Sequence, residues 1–512
     1  MSPGSWVENR PLWARWPWNA VSGVALLALV AGVVAYVLVP PDRTCAEGVE
    51  KVGDQCIGVT DGSYAFTENL RPVSQRIHQL NKQLETDEKQ DAKAGGKTPP
   101  RHVGIVYLMP LRPRPQDTNT PDSVRHEIEG AYTAQYEANR TAKYGNAPKI
   151  KLLLANSGNT AEQHKAVLDR IRDRIGTDHI VAVSGLGTST DATARMIRRI
   201  TSSGKDGLNL AATGAVLTAD TLHRIKGLVR VAPTNSDEAA AAAAYLKDKP
   251  YARRVLVVRD SRPGDQYTST LAKAFLRELP EERRVDHIEE YDSSHEGVAT
   301  AFKSRMANLC AAKPDVVYFA GRGVDLPNFL APLKNRPCTD RKLVVVSGDD
   351  ASQVSQADGF EEIKETLQSG NVRLLYTGLA HPEAWQRMKG AYPGWAAQSF
   401  GGKGQYRAAF PDEPLHDGQA IMGHDAVLTT VAAVRMAAAS NSRVTGSQTI
   451  QSWTSLHGVE SVKGASGLIS LENDGSPRRK AVPVIEIKPD GTVHTLDVSA
   501  GDGGPLTEDD LS

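Results

Sequence analysis

The stretch HVGIVYL, residues 102–108, opens the part of the sequence that decides the fold. It is a short apolar run rich in β-branched residues, which is typical of a buried strand. Similar runs follow at IKLLLA (150–155), HIVAVSG (179–185) and LNLAAT (208–213). Helical patterns separate them at 123–140, 161–175 and 190–202. This alternation predicts right-handed βαβ units on a parallel sheet.

The same alternation begins again at residue 254. The strand-like runs are RVLVVRD (254–260), VDHIEEYD (285–292), DVVYFAG (315–321) and KLVVVSGD (342–349), with helices expected at 267–279, 297–309 and 325–334. A return segment follows from 373, with helices near 383–400 and 418–439 and a hairpin at 482–496. We therefore predict an α/β fold of two doubly wound lobes joined by a hinge. Ligands of open α/β sheets bind beyond the carboxyl ends of the strands, so the two lobes are expected to close on a ligand.

The remaining segments define the expected organisation of the chain. We predict a cytoplasmic tail at 1–19, a transmembrane helix at 20–39, a juxtamembrane region at 40–100, a two-lobed domain at 101–497 and a disordered tail at 498–512. Lobe 1 is expected to comprise 101–231 and 373–460, and lobe 2 to comprise 232–372 and 461–497. A helical apolar stripe at Leu70, Val73, Ile77, Leu80 and Leu84 is expected to pack on the main domain, with a dimerising stalk as the alternative.

The predicted membrane span is the uncharged segment Ala20 to Val39. As a helix it would be about 30 Å long, which is the thickness of a bilayer core. Arg10 and Arg15 precede it, so the N-terminus is expected in the cytoplasm and the main domain outside the cell. A cleaved signal peptide is the alternative interpretation, although the apolar stretch is longer than a usual signal sequence.

Four cysteines fit an oxidising compartment. Cys45 and Cys56 flank a short loop, and Cys310 and Cys338 flank a predicted helix and strand, so we predict these two disulfides among the three connectivities that four cysteines allow. Metal binding is the weaker alternative, because no metal-ligand spacing is present. The 60 basic and 60 acidic residues give no net charge, so nothing indicates a nucleic-acid partner.

Several ordered motifs resemble the type I periplasmic binding fold of branched-chain amino-acid receptors over residues 102–497. They are VGIVYLMPL, VAVSGLGTSTDATA, LNLAATGAVLT, DQYTSTLAKAF, GHDAVLTTVAAVRMA and GASGLISLENDGSPRRKAVPVIEIKPDG. The chain departs from the family pattern at Thr268, where a glycine is usual, and at His424, where a tyrosine is usual. The resemblance implies a solute-binding protein that serves an ABC importer.

The resemblance and the strand ends together suggest ligand-binding residues. Thr188, Ser189 and Thr190 precede a helix, whose free N–H groups attract an anion, although a role as helix cap alone is the alternative. Ala211 and Thr213 match the family's second ligand loop, and Tyr267 matches an aromatic residue that covers the ligand. Structural roles are the alternative for these three residues.

Three further residues are expected at the cleft. Arg322 and Asp349 directly follow predicted strands, and the guanidinium could clamp a carboxylate, although a solvated surface arginine is the alternative. The family places an acidic residue where this sequence has Ser294 or His295, and we take His295 as the site residue. Asp292 and Glu296 lie nearby, but an α-amino acid becomes a doubtful ligand if neither carboxylate points inward.

No enzyme activity, cofactor or metal is predicted. The sequence lacks a G-x-S-x-G elbow, an H-E-x-x-H motif and a Walker loop. The pairs His126–Glu127 and His424–Asp425 lie on predicted helices, where adjacent side chains do not face a common point, so surface or capping roles are expected. The predicted function is extracytoplasmic binding of an amino acid or a similar carboxylate. Alternatives are a sensory ectodomain with a membrane signalling partner and an envelope protein whose cleft has degenerated.

Overall fold

The computed structural model describes residues 44–93, 102–141, 145–356, 359–388, 392–441 and 443–510. The predicted cytoplasmic tail and transmembrane helix, residues 1–39, lie outside these ranges. Within them, no helix has both the length and the apolar character needed to cross a bilayer.

The first sheet forms lobe 1. Its strands among the described residues are β1 (Thr44–Ala46), β2 (Val49–Val52), β3 (Gln55–Thr60), β4 (His102–Met109), β5 (Lys149–Asn156), β6 (Ile180–Gly185), β7 (Ala211–Gly214) and β8 (Leu228–Arg230). They lie in the order β1-β2-β3-β5-β4-β6-β7-β8, and β4 to β8 are parallel. The central strands are buried along their whole length, because helices cover both faces of the sheet.

Four α-helices precede residue 202 in the described part of lobe 1, and threonine side chains cap the last three of them. They are α1 (Arg71–Lys93), α2 (Pro121–Arg140), α3 (Ala161–Arg174) and α4 (Asp191–Thr201). Thr120, Thr160 and Thr190 precede the last three of these helices, and each side chain accepts a hydrogen bond from the backbone N–H three residues further on. Such caps satisfy N–H groups that the first helical turn leaves free.

The second sheet forms lobe 2. The chain continues with α5 (Asn235–Lys247), β9 (Val255–Asp260), α6 (Gln266–Glu278), β10 (Glu289–Tyr291), α7 (Val298–Ala312), β11 (Val316–Ala320), α8 (Leu326–Leu330), β12 (Leu343–Ser347), α9 (Phe360–Ser369) and β13 (Val372–Thr377). A hairpin of β16 (Val482–Ile487) and β17 (Val493–Ser499) completes the sheet, after the small pair β14 (Val462–Gly464) and β15 (Gly467–Ile469). The order is β10-β9-β11-β12-β13-β16-β17.

The two sheets share one topology. In each, the first strand of the parallel series lies between the second and the third, so the strand order reverses at β4/β6 and at β9/β11. The prediction of two doubly wound lobes is therefore confirmed. The alternation of apolar runs with helical patterns was sufficient to predict it.

Five α-helices follow β13 among the residues that the structure describes, namely α10 (Ala384–Arg387), α11 (Tyr392–Phe400), α12 (Gln405–Ala409), α13 (Gln419–Ser440) and α14 (Gly446–Ser452). The longest, α13, is buried in lobe 1 against α2. The two helices cross at glycines. A Cβ atom on Gly130 would lie 1.8 Å from the Ala420 carbonyl oxygen, and one on Gly423 would lie 2.0 Å from the Glu127 carbonyl oxygen. The helices therefore touch through their backbones.

The N-terminal described residues differ from the expected juxtamembrane region, because they belong to lobe 1. Strand β3 pairs with β5 in antiparallel register. The apolar stripe on α1 is buried against the lobe, and Ile77 is fully buried. Asn81 on the same helix donates to the Leu152 carbonyl at 2.8 Å, and Gln135 on α2 donates to Asn81 at 2.8 Å.

Two further segments differ from the expected boundaries. Strand β13, at the start of the predicted return to lobe 1, pairs with β12 and β16 in the sheet of lobe 2. The expected disordered tail is ordered through residue 510, because Asp510 forms an ion pair with Arg479 at 3.0 Å. The glycines and aspartates of this segment allow tight turns. In one of these turns the Ala500 N–H donates to the Gly504 carbonyl oxygen.

Both predicted disulfides are supported. Cys310 and Cys338 are bonded and link the end of α7 to the segment before β12. Cys45 and Cys56 are also disulfide-bonded, and no cysteine is free. Since Cys310 takes Cys338, the remaining two cysteines form the other pair.

The position of α1 predicts a large loss of stability for Ile77→Ala, since the side chain is fully buried. The expected decrease in the free energy of unfolding is about 2–5 kcal/mol, measured by urea denaturation. Gln83→Ala, at an exposed position of the same helix, is the control and should change it by less than about 0.5 kcal/mol. Equal, small effects of both substitutions would contradict the packing of α1 on the domain.

Candidate functional site

A cavity of about 680 Å³ lies between the two lobes at the carboxyl ends of their strands. Pro110 and Thr188 line it after β4 and β6, and Arg262 and Arg322 line it after β9 and β11. These are the strands between which the order of each sheet reverses. Doubly wound sheets bind ligands at such points, because the loops diverge there and leave a crevice. The cavity is therefore the candidate ligand site.

The turn after β6 brings threonines to the cavity. Gly185, Leu186 and Gly187 all have positive φ, between 68° and 91°. A Cβ atom on Gly185 would lie 2.6 Å from the Tyr107 ring, so a side chain does not fit there. This tight turn carries the chain over the end of β4 and places Thr188 and Thr190 at the wall of lobe 1.

The cavity wall carries several cationic groups. Arg114 and Arg195 reach it from lobe 1 and Arg262 reaches it from lobe 2. Arg195 and Arg262 are exposed, and neither forms an ion pair within the described ranges. Arg114 lies 3.5 Å from Asp117. The aspartates Asp117, Asp191, Asp265 and Asp325 line the same cavity, so it is the two arginines without ion pairs, and not a positive net charge, that make part of the wall suited to an anionic group.

Two titratable groups at the wall carry less charge than usual at neutral pH. Burial lowers the pKa of His164, so its imidazole is neutral at pH 7. Burial, followed by repulsion from the Asp260 carboxylate, raises the pKa of Asp325 to about 7. Asp325 therefore opposes an incoming anion less than an ordinary aspartate would.

Arg322 points into the inner end of the cleft and is buried there. Its guanidinium donates to both carboxylate oxygens of Asp265, at 2.7 and 2.9 Å, and to Asp350 at 3.0 Å. A fourth hydrogen bond, 3.1 Å long, reaches the backbone carbonyl of Ser189 in lobe 1. The ring of Tyr267 lies 4.5 Å from the guanidinium carbon. Arg322 is therefore fully engaged by protein groups.

The sequence GRG at 321–323 explains this position. A Cβ atom on Gly321 would lie 2.1 Å from the Tyr291 hydroxyl, and one on Gly323 would lie 2.0 Å from the Asp350 carbonyl oxygen. Only glycines allow the loop after β11 to approach these groups so closely. The arginine between them is thereby directed at Asp265, whose side chain also caps α6.

A buried carboxyl pair lies behind Arg322. Glu238 accepts hydrogen bonds from the backbone N–H of Asp349 at 2.9 Å and from the Thr377 hydroxyl at 2.8 Å. Burial raises the pKa of Glu238 well above its usual range, and the Asp349 charge raises it further. Burial, then the neighbouring Asp350, raises the pKa of Asp349 to about 7. The pair therefore holds at least one proton at neutral pH.

The structure separates the predicted ligand residues into three groups. Thr188, Thr190 and Arg322 line the cavity. Ser189, Tyr267 and Asp349 lie beside them but are buried in protein contacts; the Ser189 hydroxyl accepts from the N–H groups of Thr218 and Ala219. Ala211 and Thr213 are buried within lobe 1, and His295 is 78% exposed on the surface, where it pairs with Asp292.

The placement of Thr213 and His295 differs from expectation for simple reasons. The Thr213 hydroxyl, which was expected to bind a ligand, bonds instead to Thr430 on the buried helix α13 at 2.8 Å. In lobe 2, Ser293 rather than His295 reaches the cavity. A shift of two residues in the loop after β10 accounts for that difference.

Sequence reasoning did not identify the acidic residues of the inner cleft, namely Asp265, Asp350 and Glu238. Asp265 begins the quoted segment DQYTSTLAKAF, and Asp350 directly follows the predicted Asp349. Both residues could therefore have been predicted from the rule that residues following a strand of these sheets face the cleft. Glu238 was not, because it lies on a helix whose alanine-rich sequence has no apolar periodicity.

The two His–acid pairs are also placed differently from expectation, because both are buried between α2 and α13. His126 bonds to Asp417 at 2.5 Å. His424 bonds to its neighbour Asp425 at 2.8 Å and to Glu137 at 3.2 Å. Burial disfavours the charged imidazole of His424, but these two hydrogen bonds outweigh it and raise the pKa to about 9. Both histidines are thus part of the core of lobe 1.

One cluster of side chains has the composition of a metal site, but an arginine of the protein supplies the positive charge there. Ligand atoms of His126, Glu129 and Glu413 lie within 4.8 Å of one another. The guanidinium of Arg125 pairs with both glutamates, at 3.1 Å with Glu129, and so supplies the positive charge. We assign no metal to this cluster.

Comparisons with known proteins agree with this geometry. The model of a family described as periplasmic binding proteins matches residues 125–492. A leucine-binding protein, LivK of Thermotoga maritima, superimposes with a TM-score of 0.57 at 19% identity, over 78% of this chain and 98% of that chain. A solute-binding protein of an ABC transporter from Rhodopseudomonas palustris, in complex with 3,4-dihydroxybenzoic acid, gives 0.55 at 12% identity over 78% and 97%.

A third structure is the branched-chain amino acid transporter substrate-binding protein LivJ of Streptococcus pneumoniae, in complex with isoleucine. It gives a TM-score of 0.55 at 14% identity, over 78% of this chain and 99% of that chain. Comparison with curated protein sequences gives no significant match. At these identities the structural matches establish the fold.

The buried carboxyl pair predicts a specific pH dependence of stability. The folded protein retains protons on Glu238 and Asp349 that the unfolded chain releases above the ordinary aspartate pKa of 3.8. The stabilisation is therefore complete below that value and is lost as the pH rises toward the Asp349 pKa of about 7. The double variant Glu238→Gln/Asp349→Asn should flatten this decline in urea denaturation between pH 4 and 8.

Asp292→Asn is the matched control. Hydrogen bonds from Ser294 lower the pKa of Asp292, so this group is ionised in the folded and the unfolded state above about pH 5, the part of the window in which the two slopes are compared. The control should keep the slope of the native protein. A double variant with the native slope would contradict the assignment of the proton to this pair.

Proposed function

Because the chain belongs to the periplasmic binding protein family, we propose that it binds a small carboxylate-bearing solute in the cavity between its lobes. The observation that carries the proposal is the position of the cavity at the carboxyl ends of both sheets, where their strand orders reverse. The ligand is proposed to be bound and released unchanged, without a chemical step.

The chemistry of the wall supports an anionic ligand. Arg195 and Arg262 contribute two guanidinium groups that form no ion pair within the described ranges. Thr188 and the N-terminus of α4 lie on the same wall and offer a hydroxyl group and backbone dipoles. Two of the structural neighbours are in complex with isoleucine and with a hydroxybenzoic acid, and both ligands carry a carboxylate.

We further propose an extracytoplasmic location, with the N-terminal segment 20–39 as the membrane anchor, and a role in an ABC importer. The two disulfides support the location, since such bonds persist in oxidising compartments. The importer role is supported by the neighbours whose descriptions name ABC transporters. The location, the membrane anchor and the importer role are all proposals, because the structural matches establish only the fold.

The ligand class can be tested by isothermal titration of the purified protein with leucine, isoleucine, 4-hydroxybenzoate and 3,4-dihydroxybenzoate. Leucinamide and 4-hydroxybenzamide are matched ligand controls, because the carboxylate is replaced by a neutral amide. We expect at least one carboxylate to bind and its amide to bind at least about ten-fold more weakly, since a hydrogen bond to a charged group is lost. Equal affinities would contradict recognition of the carboxylate.

The protein side of the same contact can be tested with Arg195→Gln. We expect the dissociation constant of the bound carboxylate to rise by about ten-fold. Arg198→Gln is the matched control, because Arg198 lies exposed on the same helix but does not line the cavity. The proposal fails if both variants bind as the native protein does.

The importer role is tested in cells that lack the protein. Loss of uptake of the bound solute, restored by the native protein and not by Arg195→Gln, would support import. Unchanged uptake combined with a lost response to that solute would overturn the importer role in favour of the sensory alternative.

A further inference from the structure

A second cavity, of about 870 Å³, lies at the end of lobe 1 that faces away from the cleft. His102, Lys149 and Ile180 line it at the amino ends of β4, β5 and β6, whereas the cleft lies beyond the carboxyl ends of these strands. The two cavities share no lining residue in the described part of the chain. The described lining of the second cavity comes from lobe 1 alone, so a ligand there contacts one lobe only.

The buried part of this lining is largely apolar. It includes aliphatic side chains of α1, of β4 and β6 and of the residue before β7, each at most 5% exposed: Leu80, Leu84, Val103, Ile180, Val181 and Leu210. Pockets for small molecules have volumes of about 300–1,000 Å³ and are lined mainly by apolar side chains. The volume and the lining therefore fit a molecule with an apolar chain, which the cavity would remove from water.

Cationic groups outnumber acidic groups in the described lining of this cavity. The cationic side chains are Arg140, Lys149, Arg435 and Arg443. The acidic side chains, Asp87 and Glu88, are already engaged by protein groups, since Asp87 pairs with Arg140 at 3.2 Å and Glu88 lies 2.8 Å from His102 Nδ1. Lys149 and Arg443 form no ion pair within the described ranges, so both charges are available to an anion.

Lys149 lies close to other positive charges. Its ammonium group donates to the Asn139 carbonyl oxygen at 2.8 Å. Burial lowers the pKa of Lys149, and the charges of Arg435 and Arg140 lower it further. An anion bound among these cations would interact favourably with each of them and offset their mutual repulsion.

Two histidines of the lining contribute buried polar atoms. His102 lies opposite Lys149 in the register of β4 and β5, and its ring is 5.6 Å from the ring of His179. Nε2 of His102 and Nδ1 of His179 are buried and have no hydrogen-bonding partner in the part of the chain that the structure describes. Such atoms are rare in folded proteins. The polar head group of a ligand at these strand ends would satisfy them.

We propose that this cavity is a second ligand site, for an amphipathic anion with one unbranched apolar chain and a carboxylate head group. The chain contacts the aliphatic side chains, and the head group pairs with Lys149 and Arg443. This is the chemistry of a free fatty acid. Because the two cavities have separate linings, the inference does not depend on the solute proposed for the cleft.

The test uses a decanoate analogue that carries a photoreactive diazirine on its chain. The purified full chain is irradiated with this probe, and the labelled peptides are identified by mass spectrometry. We expect labels on peptides that contain Leu84, Val103 or Val181, which line the second cavity. Excess octanoate should prevent labelling, whereas octanamide should compete about ten-fold more weakly, because its head group carries no charge.

The protein side of the contact is tested with the double variant Lys149→Gln/Arg443→Gln. We expect the probe concentration for half-maximal labelling to rise by about ten-fold. Lys82→Gln/Arg198→Gln is the matched control, because it removes the same charge at two exposed positions of lobe 1 that do not line the cavity. Arg443→Gln alone decides the question if the double variant does not fold, since Arg443 is exposed.

Three results would overturn the second site. The first is no labelling, or labelling of peptides of the cleft such as those that contain Thr188 or Arg262. The second is equal competition by octanoate and octanamide. The third is native labelling of the folded variants. Failure of the proposed solute to bind in the cleft would leave the labelling of the second cavity unchanged, so the two proposals are tested separately.

Discussion

The arrangement of the cleft depends on one buried guanidinium. Arg322 has three hydrogen bonds to the carboxylates of lobe 2 and one to the backbone of lobe 1. A buried charge is stable only when it is paired and its hydrogen-bonding groups are satisfied. That requirement fixes the loop after β11, the start of α6 and the turn after β6 relative to one another. The cavity between the lobes is the space that remains once these three segments meet.

The cavity wall and the inner cluster differ in how their arginines are paired. The inner end contains four carboxyl groups around a single guanidinium, and the pKa values of three of them, Glu238, Asp349 and Asp350, are raised by burial and by their acidic neighbours. The outer wall contains arginines without ion-pair partners in the described part of the chain. Guanidinium groups that could pair with a ligand anion therefore lie at the outer wall rather than at the inner end of the cleft.

Much of the fold could be predicted from the sequence, because buried parallel strands have continuous apolar sequences. The strands from β4 to β6, β9 and β11 to β13 follow such runs, whereas β10 is largely polar and the closing hairpin follows an alternating pattern. Helix α5 could not be found in this way, since its alanines mark neither a buried nor an exposed face. Strands β2 and β3 are short and partly polar, so their membership of the sheet depends on a partner that is distant in sequence.

The site was predicted less completely than the fold. Thr188, Thr190 and Arg322 were found because side chains at strand ends must face the cleft. The partners of Arg322 depend on how two separately folded sheets meet, and no local pattern in the sequence contains that information. Thr213 lies outside the cavity for a related reason. Its hydroxyl bonds to Thr430, on a helix more than two hundred residues away in the sequence.

The crossing of α2 and α13 has a consequence for substitutions in the core of lobe 1. At Gly130 and Gly423 the helices rest main chain on main chain, so their separation is set by atoms that every amino acid shares. Substitutions around that point can change the volume of the core without moving the two axes. The distance between these two helices of lobe 1 is therefore set by the main chain and not by the size of the surrounding side chains.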